Sequence, residues 1–509
     1  MGHHAFLGVA HRRPMPGGQR GSGYAAKIGT ISDLVHRSSC AALRLARHGR
    51  CFRNDSGLMD YRTRIVESPA DLDADMWNAL LAKQPKPTPF LRHEFLSALT
   101  EAGCATAETG WAPRFLTIWR STGHSSTQDD GASRESASRP NRAPESASTF
   151  ASTSDSASDP ASDSDDAPRE WLADGQTIGP SSFDGETLVA AMPLYLKSHS
   201  YGEYVFDWAW ADAYRRNGLE YYPKLLCAVP FTPVSGARLL AIDDESRLTL
   251  AATLRALAED SGVSSLHVLY PTDDEAGVLD AVGMMARRGV QFHWENPGYR
   301  DFDEFLSTLE QKKRKNIRAE RRKVQEAGVT MRRVKGPDIT DDAWRFFNRC
   351  YQQTYREHHS SPYLNLAFFR TIGRTMPENL MMVIAEHEGR PVASSLVVYQ
   401  RDSDGGTLYG RYWGAIEHIP CLHFETAYYQ PLEFCIEEGL RAFEGGAQGE
   451  HKMARGFMPT VTHSAHWLAH PSFADAVERF LAQETAHMRD YVDELREHDP
   501  FRHAGARDA

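Results

Sequence analysis

A short run of charged residues late in the chain has the types and the spacing that acid–base chemistry requires. Glu450, His451 and Lys452 are consecutive, and Arg455 follows three positions later. They come after a short apolar strand and two glycines, which predicts a place at the carboxyl end of that strand, where α/β sheets gather ligands. Glu450 or His451 could take a proton from an attacking amine. Lys452 and Arg455 could hold a carboxylate, a phosphate or a developing oxyanion, and the alternative is a solvated loop with one salt bridge.

Aromatic and histidine side chains form a second group of candidates. His423 stands at the start of a predicted helix, where it could bind or activate a substrate or could have no role beyond starting the helix. Such rings could line a cleft for a sugar, a peptide or an acyl chain, although core packing is the usual fate of aromatic residues. Besides His423, the candidates for substrate binding are Tyr412, Trp413 and Tyr428 in the second half of the chain and Trp208 and Asp212 in the first half.

The highest density of positive charge lies in residues 312–323, where eight of twelve positions are Lys or Arg. Widely spaced apolar residues there indicate a helix with a narrow buried side. Arg314, Arg318 and Arg322 are four positions apart and share one face of that helix. This face could bind the phosphates of tRNA, of a nucleotide-linked precursor or of an anionic lipid. The alternative is a solvated helix that only connects the two halves of the chain.

The elements that must position these residues are repeated along the chain. Pro89-Phe90-Leu91, followed by Phe95, recurs as Pro362-Tyr363-Leu364, followed by Phe368. Three further pairs follow in the same order: 207–209 with 412–414, 221–223 with 428–431, and 292–294 with 465–467. Shared order and spacing predict an ancient duplication with a boundary near residue 300.

Each copy is predicted to contain two helices, strands joined by hairpins, a further helix, a strand and a final aromatic strand. In the second copy the helices are predicted at about 340–358 and 424–439. Its strands are predicted at 380–387, 392–400, 407–413 and 441–445. This order predicts an α/β fold with mixed, mainly antiparallel sheets flanked by helices.

The predicted layout has a leader, two folded units and one long insertion. Residues 1–58 show no sustained period and are predicted to be disordered or an extension of the gene model, with a functional tail as the alternative. Residues 121–186 are rich in Ser, Ala and Asp, and cannot bury enough apolar surface to offset their ordering entropy. Strands flank this tract, which predicts an insertion into a hairpin loop within a first domain at 59–300. The second domain, 301–509, begins with the basic helix.

Composition and charge exclude several other classes of protein. A net charge of −11 gives no global attraction to nucleic acid or anionic lipid. The seven cysteines include no CxxC pair, and His463, His466 and His470 have no carboxylate partner at helical spacing, so no metal site is predicted. This use of cysteine fits a reducing compartment. Without a long apolar run or a secretory signal, a cytoplasmic location is expected.

Several strings of the sequence resemble a known family. They are Ala191 to Tyr204, Tyr221 to Leu225, Lys312 to Arg322, Leu408 to Gly414 and Gly449 to Phe457. Over residues 61–119 and 187–495 the chain resembles the FemAB-like proteins of peptidoglycan biosynthesis or recognition. The resemblance implies two tandem acetyltransferase-like domains and a transferase activity, and it leaves the substrates open.

One departure concerns the acyl donor. Acetyltransferases that use acetyl-CoA usually carry a glycine-rich loop at a helix start, where backbone N–H groups hold the pyrophosphate. Residues 417–423 precede the helix here and contain no glycine, while Arg411-x-x-Gly414 matches half of the motif inside a strand. No permanently bound cofactor is expected, and acyl-CoA, an acyl carrier protein and aminoacyl-tRNA all remain open as donors.

The leading hypothesis is therefore an N-acyltransferase that joins an acyl or aminoacyl group to an amine acceptor, such as a cell-wall precursor. Glu450 or His451 would be the base, and Lys452 and Arg455 would stabilise charge. The rival hypothesis is a non-catalytic module that recognises a cell-wall precursor or RNA through the basic helix.

Overall fold

The computed structural model of the chain describes residues 61–121, 186–447 and 449–502. The predicted leader and the interior of the predicted insertion lie outside these residues, so their disorder stays a prediction. None of the described helices is both long and apolar enough to cross a membrane.

Fifteen strands form two sheets in the described part of the chain. They are β1 (Tyr61–Val66), β2 (Trp111–Pro113), β3 (Phe115–Ser121), β4 (Glu186–Met192), β5 (Tyr195–Lys197), β6 (Lys224–Cys227), β7 (Leu240–Ala241), β8 (Ser265–Leu269), β9 (Met285–Glu295), β10 (Val329–Lys335), β11 (Leu380–His387), β12 (Arg390–Gln400), β13 (Thr407–Ala415), β14 (Ala442–Ala447) and β15 (Met458–Leu468). The smaller sheet has the order β1-β3-β4-β7, and the larger has the order β10-β11-β12-β13-β14-β9-β15-β8-β6-β5-β2.

Helices connect these strands. They are α1 (Ala74–Ala82), α2 (His93–Glu101), α3 (Trp208–Arg216), α4 (Asp244–Asp260), α5 (Asp273–Ala281), α6 (Phe302–Thr308), α7 (Gln311–Glu326), α8 (Asp341–Glu357), α9 (Leu366–Thr375), α10 (Leu422–Phe424), α11 (Gln430–Glu437) and α12 (Pro471–Glu497). A π-helical turn, Glu425–Tyr429, joins α10 to α11, and Glu450–Arg455 forms a 3-10 turn. The predicted α/β class with mixed, mainly antiparallel sheets is confirmed.

Local sequence signals explain why α8 forms where it was predicted. The Thr340 hydroxyl accepts a hydrogen bond from the backbone N–H of Ala343 and caps the first turn. Trp344, Phe347 and Tyr351 then recur every three or four residues and are all buried. This apolar stripe packs α8 against β12 and β13.

The low-complexity tract is inserted between two paired strands. β3 and β4 are antiparallel neighbours, and Ser121 lies directly opposite Glu186. The residues that flank the tract are therefore adjacent across the ladder, which confirms the predicted insertion into a hairpin connection.

Each half of the chain contains one pair of neighbouring strands that are parallel, and its other neighbouring strands are antiparallel. In the first half β6 pairs with β8, and in the second half β13 pairs with β14. In each half a helical segment lies between the two members of this pair. Among the described residues, these are the only parallel pairs.

The final strands of the two halves are exchanged. β9 ends the first half, yet it pairs with β14 of the second half. β15 ends the second half, yet it pairs with β8 of the first half. β9 and β15 also pair with each other, and this ladder joins the halves into one large sheet.

The exchange extends into the hydrophobic cores. β9 supplies Phe292 and Trp294 to a core built around the α10–α11 segment, where Tyr428 and Leu432 are also buried. β15 supplies Ala465 to the core beneath α4. Each half therefore depends on a strand from the other for part of its buried apolar surface.

The repeat found in the sequence is partly correct. Phe95 in α2 and Phe368 in α9, predicted to be equivalent, face each other with ring centroids 5.3 Å apart. The pairing of Trp208 with Trp413 is wrong, because Trp208 begins helix α3 and Trp413 lies in strand β13. The pairing of Tyr221 with Tyr428 is wrong for the same kind of reason, since only Tyr428 lies in a helical turn. Aromatic strings in α/β proteins look alike without occupying equivalent positions.

A cluster of buried charges lies beneath the first half of the large sheet. The Nζ of Lys224 donates to Ser200 Oγ at 2.8 Å, to Glu203 Oε2 at 2.8 Å and to Asp207 Oδ2 at 2.5 Å. Burial raises the pKa of Asp207, but Lys224 outweighs burial and holds that pKa well below its ordinary value. Burial raises the pKa of Glu203 to about 7 despite the same lysine.

Gly414 lets α8 lie directly against β13. A Cβ at this position would stand 2.1 Å from the carbonyl oxygen of Cys350 in α8. We expect Gly414→Ala to lower the free energy of unfolding by about 3 kcal/mol, because backbone must move to relieve the clash. Urea unfolding of the two proteins measures this difference.

Gly277→Ala is the matched control. Gly277 lies within α5, and a Cβ there would meet nothing within 4 Å. Alanine should stabilise that helix by up to about 1 kcal/mol. Equal unfolding free energies for the two variants would contradict the close packing of α8 on β13.

Candidate active site

The parallel strands β13 and β14 separate part of the way along their length. They pair from Thr407 to Tyr409 and from Ala442 to Glu444. Beyond that point β14 is no longer paired with β13 but remains paired with β9, where Ala447 lies opposite Gln291. A gap therefore opens between Gly410 and Gly445. Two cavities meet there, and both are lined by Gly410, Arg411, Tyr412, Trp413 and Gly445.

The first cavity lies on the side of the α10–α11 segment and is small, with room for about one water molecule. Its wall continues into a chain of aromatic and histidine rings. Trp413 and His423 have ring centroids 4.7 Å apart, and His423 and Tyr428 have centroids 5.5 Å apart. The His451 ring follows, with its centroid 6.3 Å from that of Tyr428. The structure thus brings together four residues that the sequence singled out separately.

The second cavity is a larger cleft of about 70 Å³ to which both halves contribute. Tyr351 and Tyr355 of α8 form one wall, and Tyr204 and Phe231 from first-half loops form another. Tyr412, a predicted substrate-binding residue, also lines it and is buried, with its hydroxyl 3.4 Å from Thr232 Oγ1. We name this space the tyrosine cleft.

Arg411 lies between the two cavities. Only 3% of its side chain is exposed. Its Nη1 donates to the carbonyl oxygens of Gly410 at 3.0 Å and Glu444 at 3.3 Å. Its Nε and Nη2 have no hydrogen-bond partner among the described residues. A buried guanidinium with one edge unsatisfied is costly in a folded protein, which marks this edge as a ligand-binding feature.

Glu444 provides a partial counter-charge for Arg411. Its carboxylate lies 3.6 Å from Arg411 Nη2, which is too far for a hydrogen bond, and accepts one from Lys86 Nζ at 3.0 Å. Burial raises the pKa of Glu444, but Lys86, His293 and Arg411 outweigh burial and hold that pKa below its ordinary value. Glu444 is therefore an anion at neutral pH, and Lys86 brings the first half to the edge of the site.

Lys452 lies at the same gap. Its Nζ is buried and donates to the carbonyl oxygens of Gly445 at 2.7 Å and Gly446 at 3.3 Å. Burial, with a contribution from Arg411, lowers the pKa of Lys452 to about 7. A second basic group thus reaches the gap from the 3-10 turn, and it is about half protonated at neutral pH.

Arg455 holds the 3-10 turn in place. Its Nε donates to Tyr429 Oη at 3.0 Å, its Nη1 to the carbonyl of His451 at 2.9 Å and its Nη2 to Glu320 Oε2 at 2.8 Å. The guanidinium also lies 3.5 Å from the centre of the Phe424 ring. Its donors are occupied within the protein, so Arg455 acts on the turn and not on a ligand, in contrast to the role suggested by its sequence position.

The two candidate bases differ in their surroundings. Glu450 is exposed and accepts a hydrogen bond from Tyr491 Oη at 2.6 Å. His451 is half-buried, and burial together with Lys452 and Arg455 lowers its pKa to about 4. Its imidazole is therefore neutral at pH 7 and able to accept a proton. A pKa of about 4 makes His451 a weak base at neutral pH. Its position favours it over Glu450, because its ring adjoins the ring chain of the first cavity.

The start of the α10–α11 segment contains a carboxylate of the protein itself. Glu425 is buried in the π-helical turn, and both of its oxygens accept hydrogen bonds from Arg321 of α7, at 3.0 and 3.1 Å. Arg321 also donates to Glu433 at 2.6 Å. In acyl-CoA enzymes a helix start of this kind holds the pyrophosphate. In this chain Glu425 adds negative charge there, and the loop before it has no glycine.

The remaining predicted residues lie elsewhere. Trp208 is 40% exposed on α3 and packs on Tyr201, and Asp212 pairs with Arg215 and Arg216 on the same helix. Neither lines the two cavities. On α7, Arg314 donates to backbone carbonyls, Arg318 pairs with Asp303 at 3.1 Å, and Arg322 is exposed. The predicted buried side of this helix is confirmed by Ile317 and Val324.

Sequence reasoning missed Arg411, Glu444, Lys86 and Arg321 as members of the site. Arg411 was noticed only as half of a motif, because a strand residue can face either side of its sheet. Lys86 and Glu444 are 358 positions apart, so no local pattern could join them. Arg321 was hidden among the other cations of α7, although its position four residues after Ile317 placed it beside the buried side.

Three solved structures are similar to this chain at low identity. "Crystal structure of FemX" has 9% identity, covers 80% of this chain and 98% of its own, and has a TM-score of 0.43. A tandem GNAT protein from the clavulanic acid biosynthesis pathway has 11% identity, coverages of 81% and 99%, and a TM-score of 0.38. L-PGS from Bacillus licheniformis has 12% identity, coverages of 59% and 87%, and a TM-score of 0.38. At these values the likeness carries no functional information.

Comparison of the sequence with other proteins and with family models gives more information than these structural likenesses. No curated protein is significantly similar to the chain. The model of the FemAB-like family, described as peptidoglycan biosynthesis/recognition, matches residues 68–128 and 171–503. This match spans well over half of the chain and includes every residue of the gap between β13 and β14. The chain therefore belongs to the FemAB-like family.

Proposed function

We propose that this protein transfers an acyl or aminoacyl group to an amine at the gap between β13 and β14. The observation that carries the proposal is the combination, at one gap, of the buried cations Arg411 and Lys452 with the neutral imidazole of His451 nearby. Acyl transfer needs a base for the attacking ammonium and positive charge near the developing oxyanion. Family membership supports a substrate related to peptidoglycan.

The reaction follows from these roles. The nitrogen of the neutral amine attacks the carbonyl carbon of an ester or thioester donor, and His451 takes a proton from that nitrogen as the new bond forms. A C–N bond forms and the C–O or C–S bond breaks. The departing oxygen or sulfur takes up the proton from His451, while Lys452 stabilises the negative charge that develops on the carbonyl oxygen.

Among the possible donors, we favour one carried by a polyanion. Glu425 occupies the helix start where pyrophosphate would bind, and this argues against the usual acyl-CoA mode. α7 leads directly to that helix start through Arg321 and presents Lys312, Lys315 and Arg322 to solvent. An aminoacyl-tRNA or an acidic acyl carrier protein would be attracted by this face.

Assays with the purified full chain test the proposal directly. The protein is incubated with a lysine-containing peptide and, in turn, aminoacyl-tRNA, an acyl carrier protein thioester or acyl-CoA. Mass spectrometry then detects the new amide. Amide formation with a donor, absent without protein, is expected. If no donor yields an amide but RNA or a precursor binds, the rival recognition module is correct.

Charge reversal on α7 should weaken the use of a polyanionic donor. We expect the triple variant of Lys312, Lys313 and Lys315 to Glu to raise KM for the carrier-bound donor by about tenfold or more at low salt, with kcat little changed. The effect should shrink as salt increases, because screening weakens these contacts.

A matched control carries the same change of charge elsewhere. Lys83, Arg374 and Arg479 are exposed residues away from α7, and their replacement by Glu should leave KM nearly unchanged. An equal rise of KM in both triple variants would show that only net charge matters, and would remove α7 from the donor site.

A further inference from the structure

The unsatisfied edge of Arg411 has a defined shape. Its Nη1 is fixed by two backbone carbonyls, while Nε and Nη2 lack hydrogen-bond partners among the described residues. These two nitrogens form the side of a guanidinium that receives both oxygens of one carboxylate. Burial of the side chain removes competing water and makes such a contact stronger than on the surface.

The charges around this edge favour one added anion. Arg411, Lys452 and Lys86 are cations, and Glu444 is the carboxylate that contacts two of them. Lys86 lies within hydrogen-bonding distance of Glu444, whereas Arg411 lies 3.6 Å away. Lys86 bonds to Oε1 of Glu444, and the Oε2 that faces Arg411 is beyond hydrogen-bonding distance, so an incoming carboxylate would share Arg411 with Glu444 and bring the charges closer to balance.

The walls of the tyrosine cleft are aromatic and carry no carboxylate. Tyr204, Phe231, Tyr351 and Tyr355 line it, and Arg411 is its single charged lining residue among those the structure describes. Aromatic faces with hydroxyl groups at their edges bind uncharged, planar or partly apolar groups. Cationic ligands would meet Arg411 without compensation.

From this geometry we infer that the tyrosine cleft binds a ligand through a carboxylate at Arg411, with an uncharged body against the tyrosines. This inference rests on the proposed function in one respect, which is that the ligand is the amine acceptor. Its carboxylate at Arg411 would place the acceptor beside the gap between Gly410 and Gly445. A carboxylate is favoured over a phosphate because two parallel N–H donors match the two oxygens of a planar carboxylate.

Calorimetric titration of the full-length protein with hippurate tests this inference. Hippurate has a carboxylate, an amide and an aromatic ring, and we expect a Kd of about 1 mM, typical of a ligand of this size. Hippuramide, which has the same body without the charge, should bind at least about tenfold more weakly. Phenyl phosphate should also bind more weakly than hippurate.

The comparison among ligands uses the unaltered protein and does not depend on a variant that might misfold. Arg411→Lys keeps the charge but loses the paired donors, and should weaken hippurate binding about tenfold, whereas Arg401→Lys, on the surface, should have no effect. Absence of hippurate binding, equal binding of hippuramide, or tighter binding of phenyl phosphate overturns the inference. Amide formation in the transfer assay without hippurate binding would refute only the carboxylate site, and the reverse result would refute only the transferase.

Discussion

Replacing His451 by glutamine should reduce the transfer rate by about 100- to 10,000-fold, the range found when a general base is removed. The free energy of unfolding should change by no more than about 0.5 kcal/mol, because the side chain is half-buried and is not part of a core cluster. Single-turnover rates with a saturating donor, together with urea unfolding, measure both quantities.

Glu450→Gln is the matched control for His451. Glu450 precedes His451 in the same turn but is exposed and bonded to Tyr491. Its replacement should change the rate less than about threefold, since its exposed carboxylate is bonded to Tyr491 and only the His451 ring lies beside Tyr428. If Glu450→Gln abolished transfer and His451→Gln did not, the roles proposed for the two residues would have to be reversed.

The second large effect is on stability. Lys224→Met should lower the free energy of unfolding by about 3–5 kcal/mol, because it removes the cation that bonds both Glu203 and Asp207 and leaves only Lys197, 3.8 Å from Glu203. Only 4% of Glu203 and 3% of Asp207 is exposed to solvent. Urea unfolding at neutral pH measures the loss.

Two comparisons test the cause of that loss. Asp212→Asn breaks a surface pair with Arg215 and should change stability by less than about 1 kcal/mol. Neutralising Lys224 and Asp207 together should recover part of the loss, because Asp207 is then no longer a buried charge without a cation and Glu203 keeps Lys197. A Lys224→Met protein as stable as the parent would show that the cluster is open to water.

Local patterns were sufficient to predict most elements of the second half. β11 occupies 380–387 as predicted, because a run of apolar residues ends at the Glu388-Gly389 turn. The predicted helix at 340–358 corresponds to α8, whose cap and apolar stripe are both local signals. Such features are determined within a few residues and need no knowledge of the rest of the chain.

The partners of these elements could not be predicted in the same way. Nothing in the sequence of β9 indicates that it pairs with β14, since a strand pattern shows which face is buried and not which neighbour is adjacent. The same limit applies to the site. Lys452 and His451 were named from their spacing, but the engagement of Arg455 by Glu320 depends on how α7 packs against the turn.

The exchange of β9 and β15 limits how this protein can be divided. A chain cut near residue 300 would leave β14 and β8 as open edges, each lacking the strand that now covers it. The fragments would also lose buried residues that the other fragment supplies. Each half therefore needs the other to complete its sheet, and neither is expected to fold as a separate domain.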